Sequence, residues 1–320
     1  MRKALLVAST GGHLQQIHSF EETFLPHFDE IHYVTFQNAQ SRSLLAGRTV
    51  WYVPTIPSRG YREAIAMLPE AMRILRHGGY TDVIATGAAI AVPFSVAANL
   101  LNIGCHYVES AARAEGPSLA GRLVALTPRT HLYSQYASWA DHRWQHRGSV
   151  FDRYHAADEV QSAASVRTAV VTLGMIPFPF RRAVDGVRRV LAEVGAADVD
   201  VLWQVGDTPT DDLGIAARHT VPSCELEAAV QWADVVFAHA GIGSCLQALN
   251  AGRVPVLLPR QKRYGEHVDD HQRMIAAELE ARNLAVSSDP DRLDAADVMM
   301  AVARRVACSE EPRPFELQAR

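Results

Sequence analysis

The sequence repeats one local pattern: a short apolar run, a glycine-containing turn, and a stretch in which apolar residues recur with helical spacing. Alternation of strands with helices is typical of a parallel sheet covered by helices on both faces. The apolar runs of the first half are 4–8, 31–36, 50–53, 82–85 and 105–108, and those of the second half are 169–173, 199–205, 235–238, 254–258 and 284–286. The pattern predicts an α/β fold with two doubly wound, Rossmann-like domains.

A polar segment of little periodicity, residues 148–165, separates the two series of apolar runs. Such segments are common at domain boundaries. With 320 residues, of which 48% are apolar, the chain can bury two cores. We predict one domain at 1–155 and a second at 165–320.

Composition argues against several classes of protein. A net charge of −4 and a pI near 6.4 disfavour a nucleic-acid partner held by bulk electrostatics. No window approaches the ~18 apolar residues that span a membrane, and the first apolar run leads into a glycine turn, unlike a signal peptide. We expect a cytoplasmic protein. Neither a disulfide framework nor a zinc site is indicated by the scattered cysteines Cys105, Cys224, Cys245 and Cys308.

Glycine turns at 9–13, 172–175 and 239–244 each follow the carboxyl end of a predicted strand. In α/β sheets such a turn aims the first N–H groups of the next helix outward, which suits a phosphate. If the two sheets face each other, the turns converge on one cleft between the domains. None has the full G-x-G-x-x-G spacing, so a nicotinamide dinucleotide is disfavoured.

Longer motifs carry a resemblance to known glycosyltransferases. In the second half, VTLGMIPFPFRRAV at 171–184, HAGIGSCLQALNAGRVPVLLP at 239–259 and DDHQ at 269–272 resemble the donor-binding subunit of the transferase that extends dolichol-pyrophosphate-N-acetylglucosamine, and more distantly the carboxyl-terminal domain of the MurG family. The order and spacing of these motifs make chance similarity improbable.

The first half resembles the acceptor-side, membrane-recruiting partner of that transferase. The matching motifs are STGGH at 9–13, TGAAIAVPF at 86–94 and YVESAARAEGPSLAGRL at 107–123. The chain thus looks like a fusion of the two subunits, of a type found in bacterial exopolysaccharide pathways.

The resemblance implies an inverting GT-B glycosyltransferase that moves a sugar from a UDP-sugar to an isoprenoid-pyrophosphate-linked saccharide. It implies no obligatory metal or cofactor, and peripheral association with the inner face of the cell membrane, directly or through a membrane-embedded partner. A UDP-sugar epimerase and a non-catalytic sugar-nucleotide-binding module are the alternatives. The implied donor-binding residues are Gly174, His239, Ala240, Gly241, Gly243, Ser244, Gln247, Asp270, His271 and Gln272.

Several of these assignments have a second interpretation. His239 could contact phosphate or uracil, or could anchor the loop, which we favour. Gln247 stands where the family usually has a glutamate that holds the ribose, so the charge-assisted bond is lost. His271 and Gln272 are expected to contact the donor sugar, while Asp269 and Asp270 could simply cap the helix that starts there.

On the acceptor side, inversion requires a base for the acceptor hydroxyl. His13 and Glu109 are the candidates, with His13 ranked first. Gly11 and Gly12 are expected to hold the acceptor pyrophosphate, and Arg113 to bind phosphate or to pair with Glu109 along a helix.

Three further patterns are open to interpretation. The segment 58–77 has basic residues among apolar ones and predicts either a helix on an anionic membrane or an ordinary domain helix. Asp198-Val199-Asp200 has the spelling of a metal-binding D-x-D motif but is expected at the wrong end of a strand. Arg260, Lys262 and Arg263 could select a glucuronate donor or form an exposed loop, so the sugar is left open.

Overall fold

The computed structural model describes residues 1–57, 60–157, 165–310 and 315–318, without the side chains of 196 and 197. The chain divides into two compact units. Unit 1 consists of Met1–Asp152 with Glu311–Arg320, and unit 2 of Arg153–Glu310. Each contains a parallel sheet with helices between consecutive strands, so the predicted α/β fold with two Rossmann-like domains is confirmed.

Unit 1 has a parallel sheet of seven strands in the order β3-β2-β1-β4-β5-β6-β7. The strands are β1 (Lys3–Ala8), β2 (Glu30–Phe36), β3 (Val50–Val53), β4 (Asp82–Thr86), β5 (Gly104–Val108), β6 (Thr130–Ser134) and β7 (Trp144–His146). The middle strands β1, β4 and β5 are buried along almost their whole length. Continuous apolar runs are expected for strands that are covered on both faces.

The helices of unit 1 cover this sheet. Leu5 and Val7 of β1 share a core with Ile74 and Phe94 from two of these helices. The helices are α1 (Gly12–Ser19), α2 (Glu21–Phe24), α3 (Ala39–Leu44), α4 (Tyr61–Ala66), α5 (Leu68–Gly78), α6 (Ala91–Leu100) and α7 (Leu119–Val124).

Unit 2 has a parallel sheet of six strands in the order β11-β10-β9-β12-β13-β14, and a separate antiparallel pair, β8 with β15. The strands are β8 (Tyr154–Ala156), β9 (Val166–Thr172), β10 (Gly195–Gln204), β11 (Ala217–Arg218), β12 (Val235–Ala238), β13 (Val256–Leu257), β14 (Val286–Ser287) and β15 (Val306–Cys308). The helices are α8 (Arg181–Val194), α9 (Ser223–Trp232), α10 (Ile242–Asn250), α11 (His271–Ala281) and α12 (Ala295–Ala303).

Each large sheet reverses its strand order at one place. In unit 1 the reversal lies between β1 and β4, and in unit 2 between β9 and β12. At such a switch point the connections leave to opposite faces, which opens a crevice at the carboxyl ends of the two strands. All three predicted glycine turns lie at these switch points, after β1, β9 and β12.

The carboxyl-terminal segment lies in a different unit from the one predicted. The sequence assigns it to the second domain, but the described residues Phe315–Gln318 belong to unit 1. Phe315 is 2% exposed and contacts the rings of Phe20, Phe24 and Tyr133 edge-on. An apolar side chain near a terminus gives no indication in sequence of which core it joins. Part of the predicted linker, 158–164, lies outside the described residues.

The predicted helix 58–77 consists of two helices, α4 and α5, and its residues 58 and 59 lie outside the described part of the chain. Met67, Ile74 and Leu75 are buried in the core of unit 1, and Arg73 pairs with Glu70. The apolar side of α5 thus faces the protein, as in an ordinary domain helix. Of the helices that the structure describes, none has the length and hydropathy needed to cross a bilayer.

Candidate functional site

The turn between β12 and α10 is the candidate donor site of unit 2. Ala240 adopts a left-handed conformation with φ 57°, and Gly241 precedes the helix without any side chain that caps it. The first N–H groups of a helix have no partner within the helix. The amides at the start of α10, including that of the half-buried Gly243, can therefore receive an anion.

His239 connects this turn to the end of β9. Its backbone N–H donates to the carbonyl of Thr172 at 3.3 Å, and its Nδ1 lies 3.1 Å from the same carbonyl oxygen. Because a carbonyl can only accept, Nδ1 carries the proton and Nε2 is the acceptor nitrogen. Burial, and then the nearby Arg260 guanidinium, lower the pKa of His239 to about 3. The side chain is therefore neutral at physiological pH.

Two glycines pack against the His239 ring. A Cβ at Gly174, which has φ +77°, would lie 2.7 Å from Nε2, and one at Gly241 would lie 2.2 Å from it. The predicted donor residues Gly174, His239 and Gly241 are therefore brought together, and the glycines are required by close approach of the imidazole.

Ser244 lies on the first turn of α10, with its hydroxyl 3.5 Å from the Thr172 hydroxyl. Thr172 Oγ1 also accepts from Gln204 Nε2 at 3.1 Å. The serine is thus part of a polar group at the ends of β9 and β10. Gln247 follows one turn later on α10 and is half-buried.

Arg260, after β13, is fully buried, whereas Lys262 and Arg263 are exposed, so the exposed-loop interpretation is wrong for Arg260 alone. Its guanidinium donates to the carbonyls of Phe178 at 2.6 Å, Leu173 at 2.7 Å and Glu266 at 3.2 Å. Burial lowers its pKa to about 10, which still leaves it charged. It therefore ties the loop after β9 to the segment before α11.

The DDHQ motif has two functions in this segment. Gln272 Oε1 accepts from the backbone N–H of Arg260 at 2.9 Å, and Asp270 Oδ1 from that of Lys262 at 2.9 Å. His271 makes a hydrogen bond with Asp269. Asp270 stands at the N-cap position of α11, but its side chain makes no capping hydrogen bond, so capping by Asp270 is wrong. The side chains of Asp270 and Gln272 therefore bind the backbone of residues 260–262, while those of His271 and Asp269 bind each other.

In unit 1, the turn after β1 leads to His13 on the first turn of α1. Gly11, with φ 87°, donates its N–H to Gln40 Oε1 at 2.6 Å, and Gly12 begins the helix. The His13 ring packs on Gly87, where a Cβ would lie 2.1 Å from Nδ1. The STGGH and TGAA motifs therefore meet at the switch point of this sheet.

Two glutamines join this turn to the loop after β5. Gln16 Nε2 donates to Gly12 O at 3.2 Å and to Ser110 Oγ at 3.1 Å, and Gln16 Oε1 accepts from Ala111 N at 2.9 Å. Gln135 Nε2 donates to Gln16 Oε1 at 3.1 Å and to Glu109 O at 2.9 Å. Sequence reasoning missed both glutamines, although Gln16 stands one helical turn after Gly12.

Glu109 is fully buried, and both its carboxylate oxygens accept hydrogen bonds. Oε1 accepts from Ser110 N at 2.9 Å, and Oε2 from Ser118 N at 2.8 Å and Ser118 Oγ at 3.0 Å. Burial raises the pKa of this carboxyl despite these bonds. Since Ser118 caps α7, Glu109 holds the start of that helix.

Arg113 lies in the segment between β5 and α7, so the helix that the predicted pairing with Glu109 requires is not present at this position. Its N–H donates to Ser110 O at 2.9 Å, and its carbonyl accepts from Trp139 Nε1 at 2.9 Å. The next helix, α7, begins only at Leu119. In unit 2, Asp198 and Asp200 are exposed on the amino-terminal half of β10, away from the loops that form the site.

Comparison with known proteins finds a family that matches most of unit 2. Residues 168–301 match the glycosyltransferase family 28 C-terminal domain. The matched region contains the turn after β12, Arg260 and the DDHQ motif. No curated protein matches the sequence.

Solved structures share the fold over nearly the whole chain. MurG from Acinetobacter baumannii superposes with a TM-score of 0.57 at 14% identity, covering 93% of this chain and 89% of that one. S. aureus MnaA, solved with UDP, has a TM-score of 0.59 at 12% identity, covering 98% of this chain and 92% of that one. A UDP-GlcNAc 2-epimerase from Methanocaldococcus jannaschii has a TM-score of 0.57 at 11% identity, covering 98% of this chain and 96% of that one. The family match and the fold together support a glycosyltransferase.

Proposed function

We propose that this protein transfers a sugar from a UDP-sugar to a lipid-pyrophosphate-linked saccharide, with inversion at the anomeric carbon. Unit 2 binds the donor and unit 1 the acceptor. The family 28 match over 168–301 and the UDP in the structurally similar MnaA support the donor class. The acceptor class rests on the resemblance of the STGGH and YVES motifs to acceptor-side subunits, and a place in exopolysaccharide synthesis is part of the proposal.

The observation that carries the proposal is the uncapped start of α10 at the switch point of unit 2. Departure of UDP places negative charge on the β-phosphate. Preorganised N–H donors stabilise such charge without reorganisation. The amides of residues 242–244 and the Ser244 hydroxyl supply donors there, and Gly174 and Gly241 let His239 pack close to them.

His239 has a different function from that of a phosphate-binding cation. Its neutral ring offers Nε2 as an acceptor, whereas phosphate oxygens are themselves acceptors. We propose that it receives a hydrogen bond from a donor-substrate hydroxyl or N–H group while anchoring the turn. The buried Arg260, which is engaged by three carbonyls, does not select the sugar.

Binding of UDP by the Gly241 variant tests the donor site. Gly241→Ala places a methyl group 2.2 Å from His239 Nε2, so either the ring or the turn must move. We expect UDP affinity, measured by calorimetry, to fall by ~10-fold or more, about 1.4 kcal/mol. The control is Gly214→Ala, on an exposed turn with no neighbouring atom within 4 Å, where φ +62° adds backbone strain but no contact with His239. Equal affinity in both variants would reject the site.

His13 is the proposed base. Both oxygens of Glu109 accept hydrogen bonds from Ser110 and Ser118, which leaves His13 the better candidate. We expect His13→Ala to lower kcat by ~10²–10⁴-fold, the usual contribution of a general base, with UDP binding unchanged. His77→Ala, at an exposed histidine whose Nδ1 donates to the carbonyl of Arg73 at 2.8 Å, is the control. A turnover within a few-fold of wild type would remove His13 from the mechanism.

An epimerase is the second candidate, because the M. jannaschii epimerase shares the fold. An epimerase converts the UDP-sugar to its epimer without a second substrate. A transferase does not change the configuration of the free UDP-sugar and needs an acceptor for reaction. Product analysis after incubation with UDP-sugar alone, and then with a lipid-pyrophosphate acceptor, distinguishes them. Running the assay with several UDP-sugars also identifies the sugar.

Membrane association is proposed through the exposed part of α4. Tyr61 and Ile65 are 52% and 74% exposed, and Arg62, between them on α4, is also exposed. Apolar side chains beside basic ones favour an anionic surface. In a flotation assay with anionic vesicles, the wild type should float with the vesicles. A double variant, Ile65→Ser with Arg62→Ser, should stay in the unbound fraction. Equal recovery of both would indicate a different surface or a membrane-embedded partner.

A further inference from the structure

Three potential metal ligands converge within the five residues 267–271. In the described part of the chain, His267, Asp269 and His271 each offer one ligand atom, and these atoms all lie within 4.8 Å of one another. Two imidazoles and a carboxylate form a ligand set that zinc and related late transition metals accept. We propose that these three residues form a binding site for a divalent transition-metal ion of the zinc type.

The separations suit a small ion. His267 Nδ1 lies 3.2 Å from Asp269 Oδ1, and His271 Nδ1 makes a short contact with the same oxygen. Two ligands at ~2.0–2.2 Å from a tetrahedral zinc are ~3.4 Å apart. His267 and Asp269 nearly have this separation, and His271 needs to retreat slightly. The two rings meet edge to face with centroids 4.6 Å apart, so they do not stack on each other.

The surrounding contacts fix the backbone that carries the ligands. Asp270 and Gln272 alternate with the ligand positions, and each accepts from a backbone N–H, those of Lys262 and Arg260, at 2.9 Å. The side chains of Asp270 and Gln272 thus hold the segment, while those of His267, Asp269 and His271 lie close to one another. Phe178 also lies nearly parallel to the His267 ring, at 6.2 Å between centroids. Ligands held by such a supporting layer need little reordering on binding.

Three protein ligands leave a fourth position for water or a substrate oxygen, as in zinc sites that are not closed. The site shares His271 with the proposed donor site, but metal binding can be measured without any sugar transfer. Failure of one proposal therefore does not entail failure of the other.

Titration of the full-length protein with Zn²⁺ tests the site, by calorimetry and by the visible spectrum of Co²⁺ in its place. We expect one site of high affinity. Asp269→Asn keeps the shape but removes the charge, and should weaken binding by more than the ~10–100-fold that loss of a supporting residue costs. His267→Gln should do the same, and serves if Asp269→Asn does not fold.

Two controls separate this site from adventitious binding by a chain with 14 histidines. Asp270→Asn keeps the oxygen that faces Lys262 N and should bind Zn²⁺ as the wild type does. His219→Ala removes an exposed His–Asp pair, 2.7 Å apart, and should also change nothing. The proposal is overturned if the wild type shows no such site, or if Asp269→Asn and His267→Gln bind Zn²⁺ as well as the two controls.

Discussion

Single residues at the switch point of unit 2 have functions that depend on contacts distant in sequence. The sequence favours an anchoring role for His239 over a ligand contact and leaves Arg260 as a candidate for selecting the sugar. In the structure His239 bonds to Thr172 and Arg260 to three carbonyls. The glycine turn around His239 could be predicted because turn chemistry is local. The burial of Arg260 could not, because it depends on the fold of the segments around Phe178 and Glu266, which no local pattern of the sequence reveals.

Asp82 gives a pH-dependent prediction at the residue scale. Burial opposes ionisation of this carboxyl, but the His106 imidazole, 3.5 Å from Asp82 Oδ1, and the hydrogen bond from Thr81 Oγ1 outweigh it and lower its pKa to about 2. The folded state therefore binds the proton more weakly than the unfolded state, whose pKa is the ordinary 3.8. The resulting stabilisation is present above about pH 4 and is lost as the pH falls through 2.

Asp82→Asn should lower the free energy of unfolding by up to about 2 kcal/mol at pH 7. The difference from wild type should shrink between pH 4 and pH 2.5, as measured by urea denaturation at each pH. Asp198→Asn, an exposed aspartate on β10, should show little difference at any pH. If the difference in the free energy of unfolding between Asp82→Asn and wild type stayed constant with pH, the lowered pKa of Asp82 would be contradicted.

Among the elements, the loops after β4 and β12 occupy equivalent places in the two sheets, and each contains an alanine with positive φ. Ala88 has φ 58° and Ala240 has φ 57°. A left-handed alanine costs on the order of 1–2 kcal/mol. Strain of this kind is commonly found at binding sites, where the surrounding structure enforces it. Its presence in both loops agrees with a ligand site in each unit.

Gly87 tests the loop after β4. Gly87→Ala combines a left-handed backbone, φ +56°, with a methyl group 2.0 Å from His13 Cε1. The matched control is Gly79→Ala, which has φ +64° and no neighbouring atom within 4 Å. We expect about 1 kcal/mol of destabilisation in the control from backbone strain alone, and clearly more in Gly87→Ala. Thermal unfolding measures both, and an equal loss would mean that His13 does not pack as described.

The ten strands predicted from apolar runs are all present, with shifts at their ends. The strands β6, β7, β8, β11 and β15 were missed. β6, THLYS, and β7, WQH, mix polar with aromatic residues, and the others are two or three residues long. Their pairing depends on a neighbouring strand that already exists, so no periodic signal identifies them. The switch-point sites were predictable because they depend on strand order and glycine turns.

For the whole molecule, the division between units is set by packing rather than by position along the chain. Phe315 is buried among Phe20, Phe24 and Tyr133, all in unit 1. His27 and His131 also bond to this segment, through Phe315 O at 2.9 Å and Gln318 respectively. The last described residues are therefore part of the unit that the first residues build.

Phe315→Ala should destabilise unit 1 selectively. Removing a buried phenylalanine side chain costs about 3–5 kcal/mol. Hydrogen exchange should show faster opening of β1, β2 and β6, with protection in β9 and β12 unchanged. Leu317→Ala, at a half-exposed neighbour, should have a small effect. Equal acceleration in both units would show that they unfold as one cooperative body.

The antiparallel pair β8 and β15 joins the two ends of unit 2. Ser309 N donates to Arg153 O at 2.8 Å, so the chain leaves and re-enters unit 2 at adjacent points. Unit 2 is thus an insertion with two neighbouring connections, as in proteins assembled by placing one domain within a loop of another. The two ends of unit 2 pair with each other, so a short linker could join residue 309 to residue 153 in a circularly permuted unit 2.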